Sequence, residues 1–236
     1  MKKAIRIITG IVVLAAAALA TGNGSIIASF GSDWARGFDY HGGYLYFAHS
    51  INNQIHVRTT TGSYVSTIYV GAYVKANGIA RTDAEFWTCS STGYIHHLNT
   101  GGGLLDSFTI PFNAQAIEYG GGYLWCTSGA ALYKITTSGS VVSSFPAPGS
   151  SVYGVSWDAP YLWVCEGSYS GAIYQVTTSG SIIRSIPRNG HQPYDVAWDG
   201  RYVWYTNYSP NWVYAMTIAM TSVEPASLGR VKAVFR

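Results

Sequence analysis

The sequence predicts an all-β fold, a five-bladed β-propeller of four-stranded antiparallel blades. The first observation is a seven-residue phrase, Gly-Ser-apolar-apolar-x-Ser-(Phe/Ile), with Thr in place of the second Ser in its second copy and Gly in place of the first Ser in its third copy. The second is spacing, because successive copies begin 38, 40, 37 and 41 residues apart. The third is that short alternating apolar stretches and Gly-rich turns fill each interval, as is typical of propeller blades. The copies cover residues 24–30, 62–68, 102–108, 139–145 and 180–186.

The first twenty residues have the pattern of a secretory signal peptide. Lys2, Lys3 and Arg6 precede an apolar stretch from Ile7 to Leu19, and a small-residue cleavage site ends at Ala20. An uncleaved anchor is the alternative, but the stretch is short for the roughly 20 residues that a spanning helix needs. We expect a secreted protein, extracellular or periplasmic, with no transmembrane span after cleavage.

The composition fits an extracellular β protein. Charged residues make up only 11% of the chain, whereas Tyr and Trp together number 27. The formal net charge of +3 includes the three basic residues of the leader, so the remaining chain is close to neutral. A neutral protein lacks the electrostatic basis for binding nucleic acid, so we expect no such partner.

Each interval after a phrase contains three strands, and the phrase that follows supplies a fourth, outermost strand. Short Gly- and Asp-containing turns such as HGG and DGR join the first two strands, as hairpins require. The middle residue of each innermost strand is apolar and is expected to pack between blades. These middle residues are Phe38, Ile79, Ile117, Val155 and Val196.

The first phrase is out of phase with the others, which predicts how the propeller closes. The last set of three strands ends at Ile218 with no phrase after it, so residues 24–30 are expected to complete that blade. Residues 230–235 alternate polar and apolar and compete for the same position. The predicted domains are a leader at 1–20, a propeller at 24–218 and a tail at 219–236. The tail is a linker, a sorting signal or an assembly segment that adds a strand to a neighbour.

Three cysteines lie in corresponding second strands of three repeats. Cys89 and Cys165 share a repeat position that other repeats fill with Ala or Thr, which indicates selection for small size. Cys126 lies one residue away from that position. We interpret all three as buried thiols without a metal or redox role.

The fourth and fifth repeats resemble a known type of propeller repeat. SVYGVSWDAPYLWVCEG at 151–167 and QPYDVAWDGRYVWYTNY at 192–208 are similar to NHL and YncE-like repeats, where Asp-Gly precedes an aromatic strand. The resemblance covers residues 24–218 and implies the propeller fold. Some members of this broad group are enzymes, so the resemblance does not imply an activity.

The candidate binding residues cluster before the innermost strands and in the loops of the same face. We name Arg36, Asn77, Gln115, Tyr153 and Tyr194 the mouth ring, because they occupy one repeat position at the channel mouth. Amides and Arg hydrogen-bond hydroxyls or carboxylates, and aromatics stack on ring faces, so the mouth ring is suited to a polar ligand. The alternative is that these residues plug a narrow channel. The other candidates are Trp34, His191, Tyr208 and Trp212.

Two carboxylates, Asp39 and Glu118, are candidates for an acid/base pair. Asp39 and Glu118 share one repeat position two blades apart, and Asp195 lies two residues earlier in its own strand. Glycoside hydrolysis needs two carboxyl groups roughly 5–10 Å apart. Other blades carry Ala or Ser at this position, which favours ordinary variation. No phosphate-binding loop, nucleophile elbow or metal motif occurs, so we expect neither cofactor nor metal.

These observations favour a secreted, non-enzymatic propeller that acts as a binding or scaffold module for glycan or a cell-surface protein. One alternative is an extracellular hydrolase or lyase that uses Asp39 and Glu118. Another is a structural surface or filament subunit that self-assembles through the tail.

Overall fold

A computed structural model describes residues 24–32, 35–49, 51–72, 74, 76–168, 171–187, 192–207, 209 and 211–218. These residues form twenty strands in five four-stranded antiparallel sheets, so the predicted five-bladed β-propeller is confirmed. None of them belongs to a helix that is long and apolar enough to cross a membrane. The predicted leader at 1–20 and the predicted tail at 219–236, including 230–235, lie outside the described residues.

Each blade is given from its innermost to its outermost strand. Blade 1 contains β2 (Gly37–His41), β3 (Tyr44–His49), β4 (Gln54–Thr59) and β5 (Tyr64–Tyr69). Blade 2 contains β6 (Gly78–Arg81), β7 (Glu85–Cys89), β8 (Tyr94–Asn99) and β9 (Leu104–Thr109). Blade 3 contains β10 (Ala116–Gly120), β11 (Tyr123–Ser128), β12 (Ala131–Ile135) and β13 (Val141–Pro146). Blade 4 contains β14 (Val152–Asp158), β15 (Tyr161–Glu166), β16 (Ala172–Thr177) and β17 (Ile182–Pro187). Blade 5 contains β18 (Pro193–Trp198), β19 (Val203–Asn207), β20 (Trp212–Met216) and β1 (Ile26–Gly31).

The N-terminal strand closes the propeller, as predicted. β1 pairs antiparallel with β20, and Phe30 lies opposite Val213. The first strand of the chain therefore forms the outer edge of the last blade, which joins the two ends of the fold. Without β1, the hydrogen-bonding edge of β20 would be free to pair with another chain.

The hydrophobic core consists of five clusters, each shared by two neighbouring blades. Phe38 of β2, for example, packs with Trp204 of blade 5, and Val196 of β18 packs with Trp163 of blade 4. All five middle residues of the innermost strands are buried in these clusters, so the prediction that they pack between blades is confirmed. Burial of this apolar area between blades is the main favourable term in folding.

The outer strands of neighbouring blades meet end to end. This contact explains why the repeated phrase begins with Gly and ends with a large apolar residue. Gly62 begins one phrase at φ 85°, and a Cβ there would lie 2.6 Å from Cγ of Phe30, which ends the previous phrase. Gly139 and Phe108 repeat the relationship at 2.5 Å. The Gly is required because the backbone is left-handed and because the preceding aromatic ring fills the space of a side chain.

Two aspartates, one at the end of β14 and one directly after β18, anchor the aromatic strands that follow. Trp163 Nε1 donates to Asp158 Oδ2 at 2.9 Å, and Trp204 Nε1 donates to Asp199 Oδ2 at 2.6 Å. Buried indole N–H groups need such an acceptor. The Asp before the aromatic strand is therefore part of the packing of the blade.

Candidate functional site

Small residues form a narrow waist where the innermost strands of neighbouring blades touch. A Cβ at Gly37 would lie 2.8 Å from Cα of Gly78, and a Cβ at Gly78 would lie 2.7 Å from Cα of Ala116. Gly154 approaches Cα of Asp195 at 2.7 Å in the same way. A larger side chain would force the blades apart, so this waist fixes the diameter of the channel.

Two of the three cysteines lie at the level of the waist, in the second strands, and Cys126 lies one residue away from it. Cys89 lies opposite Gly78 in the sheet, and Cys165 lies opposite Gly154. All three thiols are buried and free, which confirms their interpretation as small core residues. Burial raises the pKa of Cys89, Cys126 and Cys165, so the reactive thiolate is disfavoured in the folded protein.

The mouth ring lies just before the waist and surrounds one cavity. Each of its residues directly precedes, or is the first or second residue of, an innermost strand, so the five blades bring the five side chains to the same level. The cavity has a volume of about 1000 Å³ and is open to solvent. Its lining residues are Arg36, Ile51, Asn77, Ser91, Asn113, Ala114, Gln115, Tyr153, Gln192 and Tyr194.

The mouth ring divides into an aromatic and cationic side and an amide side. The rings of Tyr153 and Tyr194 lie 5.2 Å apart between centroids, and Arg36 Nη1 donates to the Tyr194 hydroxyl oxygen at 3.3 Å. Asn77 and Gln115 come from blades 2 and 3. Burial raises the pKa of Tyr194, although Arg36 lowers it in part, so its hydroxyl group stays protonated at neutral pH.

A loop of blade 4 holds Tyr153 in position from behind. A Cβ at Gly167 would overlap the Tyr153 ring, so the ring packs directly on the Gly167 backbone. Gln192 Nε2 donates to the Gly167 carbonyl oxygen, which ties this loop to the strand that carries Tyr194. Glycine at 167 is required here by close approach.

Of the remaining predicted binding residues, the structure describes only Trp212. Trp34, His191 and Tyr208 lie outside the described residues. Trp212 begins β20 with 40% of its surface exposed, packs near Tyr214, and does not line the cavity.

Several lining residues were not among the predicted binding residues. Asn113 and Gln192 precede innermost strands, which is the signal that identified the mouth ring. Ile51 and Ser91 lie in loops between second and third strands. These loops share no repeat position, so the sequence offers no alignment that would select them.

The predicted acid/base pair is buried on the inner side of the waist. Asp39, Glu118 and Asp195 are each more than nine-tenths buried, and none of them lines the cavity. Asp39 Oδ2 accepts from the backbone N–H of Arg81 in the next blade at 2.6 Å, and Asp39 Oδ1 accepts from that of Tyr40 at 2.7 Å. Both oxygens of Asp39 are therefore engaged by backbone.

Three side chains together satisfy five equivalent backbone N–H groups around the channel. Glu118 accepts from its own neighbour Tyr119 and from Trp157 of the next blade, and Ser156 Oγ accepts from Trp198 of the next blade at 3.0 Å. Asp39 serves the remaining two. Ala80 and Ala197 hold the same repeat position but have no side-chain acceptor. Glu118 therefore accepts from Tyr119 N, which Ala80 cannot bond, and Asp39 accepts from Tyr40 N, which Ala197 cannot bond. The pattern Asp, Ala, Glu, Ser, Ala is thus accounted for by backbone pairing.

Burial also changes how these carboxyl groups titrate. It raises the pKa of Asp39 to about 7, against the N–H bonds of Arg81 and Tyr40, which lower it. Burial, and after it the charge of Asp39, raise the pKa of Glu118 well above its ordinary value. Burial also raises the pKa of Asp195 well above its ordinary value, although the N–H groups of Val196 and Phe38 donate to it and lower the pKa in part.

No group of three or more His, Cys, Asp or Glu side chains among the described residues is arranged to hold a metal ion. His49 and His56 do meet, with ring centroids 4.1 Å apart. Their rings lie against each other, and burial lowers the pKa of His49 to about 4. The pair therefore packs as neutral aromatic rings.

Similar solved structures are β-propeller proteins. A glutaminyl cyclase from Myxococcus xanthus matches with a TM-score of 0.69 at 10% identity, over 84% of this chain and 97% of that one. A catalytically inactive virginiamycin B lyase from Staphylococcus aureus, crystallised with quinupristin, matches with a TM-score of 0.53 at 20% identity, over 78% and 66%. A streptogramin B lyase matches with a TM-score of 0.50 at 15% identity.

These similarities define the class of the protein as a β-propeller and go no further. No family model matches the chain, and no curated protein sequence matches it. At identities of 20% or less, the structural likeness shows the fold alone. Because one fold carries many activities, the likeness selects neither binding nor catalysis.

Proposed function

We propose that the protein is a secreted, non-enzymatic β-propeller with NHL- or YncE-like repeats that binds saccharides of cell-surface material at the mouth of its channel. The observation that carries the proposal is the convergence of all five mouth-ring residues on one open cavity of about 1000 Å³. A volume of this size is at the upper end of ligand pockets, on the order of 300–1000 Å³, and accommodates more than one sugar ring.

The chemistry of the cavity wall supports a saccharide. A sugar presents hydroxyl groups at its edges and apolar C–H groups on its faces. The side-chain amides of Asn77 and Gln115 bond to no other described residue, so both their donors and their acceptors are available for hydroxyls. The stacked Tyr153 and Tyr194 offer an aromatic surface for a sugar face.

A glycan array followed by calorimetry tests the proposal. We expect the wild-type protein to bind at least one saccharide, and Tyr153→Ala and Gln115→Ala to weaken that binding by about tenfold or more. Tyr64→Ala is the matched control, because Tyr64 is an exposed tyrosine on the outer strand β5. Thermal melting separates lost binding from lost folding. No saccharide binding by the folded wild-type protein would refute the proposal.

The hydrolase or lyase alternative keeps one observation in its favour, the pKa of Asp39 near 7, because a general acid must be protonated at working pH. Against it, Asp39 and Glu118 lie outside the cavity lining and accept backbone N–H bonds. If the protein cleaves any saccharide of the array, Asp39→Ser decides the matter. Unchanged turnover in that variant would exclude Asp39 from the chemistry.

A further inference from the structure

Among the described residues that line the cavity, Arg36 alone has a charged side chain. The nine other lining residues are uncharged, and the guanidinium of Arg36 donates only to the Tyr194 hydroxyl oxygen among the residues that the structure describes. A guanidinium has five N–H donors, so most of those on Arg36 face solvent in the cavity. Arg36 is also exposed, which leaves it accessible to a ligand.

The three carboxylates that the structure describes in the channel are not placed to neutralise Arg36. The nearest in sequence to the mouth ring is Asp195, which follows Tyr194 directly. Its Oδ2 accepts from Phe38 N at 2.9 Å, and its Oδ1 accepts from Val196 N at 2.9 Å. Asp39 and Glu118 are held by backbone in a similar way. The field of Arg36 in the cavity is therefore positive and uncompensated by any described lining residue.

Arg36 lies beside the aromatic side of the mouth ring. Its bond to the Tyr194 hydroxyl places the guanidinium at the edge of the Tyr153–Tyr194 pair. A ligand whose ring rests on that pair would bring a substituent of the ring edge to Arg36. Across the cavity, Asn77 and Gln115 remain for the hydroxyl groups. This order of cation, aromatic surface and amides matches a sugar ring that carries an acidic group.

We propose that the site selects acidic saccharides of the uronic acid type, with the ligand carboxylate bound by Arg36 and its ring on Tyr194. A planar guanidinium binds a carboxylate through two parallel N–H bonds, which are charge-assisted and strong. The inference rests on the proposed saccharide binding and adds the class of saccharide and the residue that selects it.

Calorimetry with three matched probes tests the inference: digalacturonate, its methyl ester, and the neutral digalactoside. We expect the wild-type protein to bind digalacturonate about tenfold or more tightly than either neutral probe. Raising the salt concentration should reduce this difference, because the interaction at an exposed Arg is screened. Arg36→Gln should bind all three probes equally, and Arg36→Lys should recover part of the preference.

Arg201→Gln is the control variant. Arg201 is an exposed arginine in the turn beyond the far end of β18, the strand that carries Tyr194. The Arg201→Gln variant should discriminate between the probes as the wild-type protein does. Because Arg36 and Arg201 are both exposed, neither substitution is expected to affect folding, which thermal melting checks.

The outcomes separate the inference from the proposal beneath it. If the neutral probes bind as tightly as digalacturonate, or if Arg36→Gln keeps the preference, the acidic specificity is refuted and saccharide binding stands. If no probe or arrayed saccharide binds, both are refuted. A tripeptide with a free carboxyl terminus forms a further arm. If this tripeptide binds, while the same tripeptide with an amidated carboxyl terminus and all the saccharides do not, the site selects peptide carboxylates and both proposals fail.

Discussion

Phe30 occupies the space in which any residue other than glycine at position 62 would place its Cβ. The added atom would lie 2.6 Å from Phe30 Cγ, although the two residues are separated by a whole blade in sequence. Phe30 lies next to the end of β1, which closes blade 5, and Gly62 lies two residues before β5, the outer strand of blade 1. The contact therefore joins the last blade to the first.

Substitution of Gly62 by Ala should destabilise the protein for two reasons. Its backbone has a φ of 85°, which costs a residue with a Cβ about 1 kcal/mol, and the clash with Phe30 adds about 1–3 kcal/mol. Gly122→Ala is the matched control, because Gly122 has a φ of 82° and nothing within 4 Å of an added Cβ. Denaturant unfolding measures both losses. Equal losses of stability in the two variants would contradict a clash between the added Cβ and Phe30.

Removal of the closing strand should cost far more than removal of the tail. A chain that begins at residue 32 lacks β1, so the edge of β20 is exposed and the apolar contacts of Phe30 with Phe47 and Trp204 are lost. We expect this chain to melt at a much lower temperature and to associate. A chain that ends at residue 218 keeps all twenty strands and is the comparison. Equal melting temperatures would contradict the closure as a source of stability.

The fold could be predicted from the sequence because the repeated phrase marks the boundaries of the strands and of the blades. The phrase that begins with Gly62 marks where an outer strand starts, and the unmatched phrase at 24–30 marks where the propeller closes. The level of the mouth ring was also predictable, since one repeat position must lie at one height in every blade. The cavity-lining loops were not, because Ile51 and Ser91 follow no repeat position.

The role of Asp39 was beyond the sequence for a different reason. In the sequence, a carboxylate inside a channel looks the same whether it is catalytic or structural. Only the register between neighbouring blades shows which backbone N–H groups it accepts from. Asp39 accepts from Arg81, 42 residues away, and covers Tyr40 because Ala197 cannot. That dependence on the neighbouring blade is a tertiary property that no single repeat contains.

Gly167→Ala should weaken ligand binding without touching the cavity. Its Cβ would overlap the ring of Tyr153 and push that ring out of position, so the saccharide affinity should fall about tenfold. Gly31→Ala is the control, because nothing lies within 4 Å of its added Cβ. Titration with the best saccharide of the array gives the affinities. Unchanged affinity in a folded Gly167→Ala variant would show that the orientation of Tyr153 is unimportant for binding.

The shared pairing of the channel N–H groups predicts a rescue. Asp39→Ser should bond Arg81 N as Ser156 bonds Trp198 N, but it should leave Tyr40 N unpaired at a cost of about 1–3 kcal/mol. Adding Ala197→Ser supplies an acceptor for Tyr40 N, so the double variant should recover much of that loss. Ala197→Ser alone should change stability little. Denaturant unfolding of the three variants measures the coupling, and additive effects would contradict the pairing scheme.

The double variant also removes the pH dependence that Asp39 contributes, both through its own carboxyl group and through its charge, which adds to the effect of burial in raising the pKa of Glu118 and of Asp195 in the folded protein. Its pKa is about 7 in the folded protein against 3.8 for the free group, so the folded state binds more protons between these values. The resulting stabilisation is complete below about pH 4 and is lost as the pH rises through about 7, by about 1.4 kcal/mol for each unit of pKa difference. Burial lowers the pKa of His49, His56 and His96, and these histidines act in the opposite direction in both proteins.

Subtracting the double variant from the wild type therefore removes the histidine contributions. The difference in the free energy of unfolding should favour the wild type most in acid and decline steadily toward about pH 8. Denaturant unfolding across this range provides the measurement, with Ala197→Ser as the single-site reference. A difference that stays flat with pH would mean that Asp39 titrates alike in the folded and unfolded states. Its burial among the innermost strands would then not govern its proton.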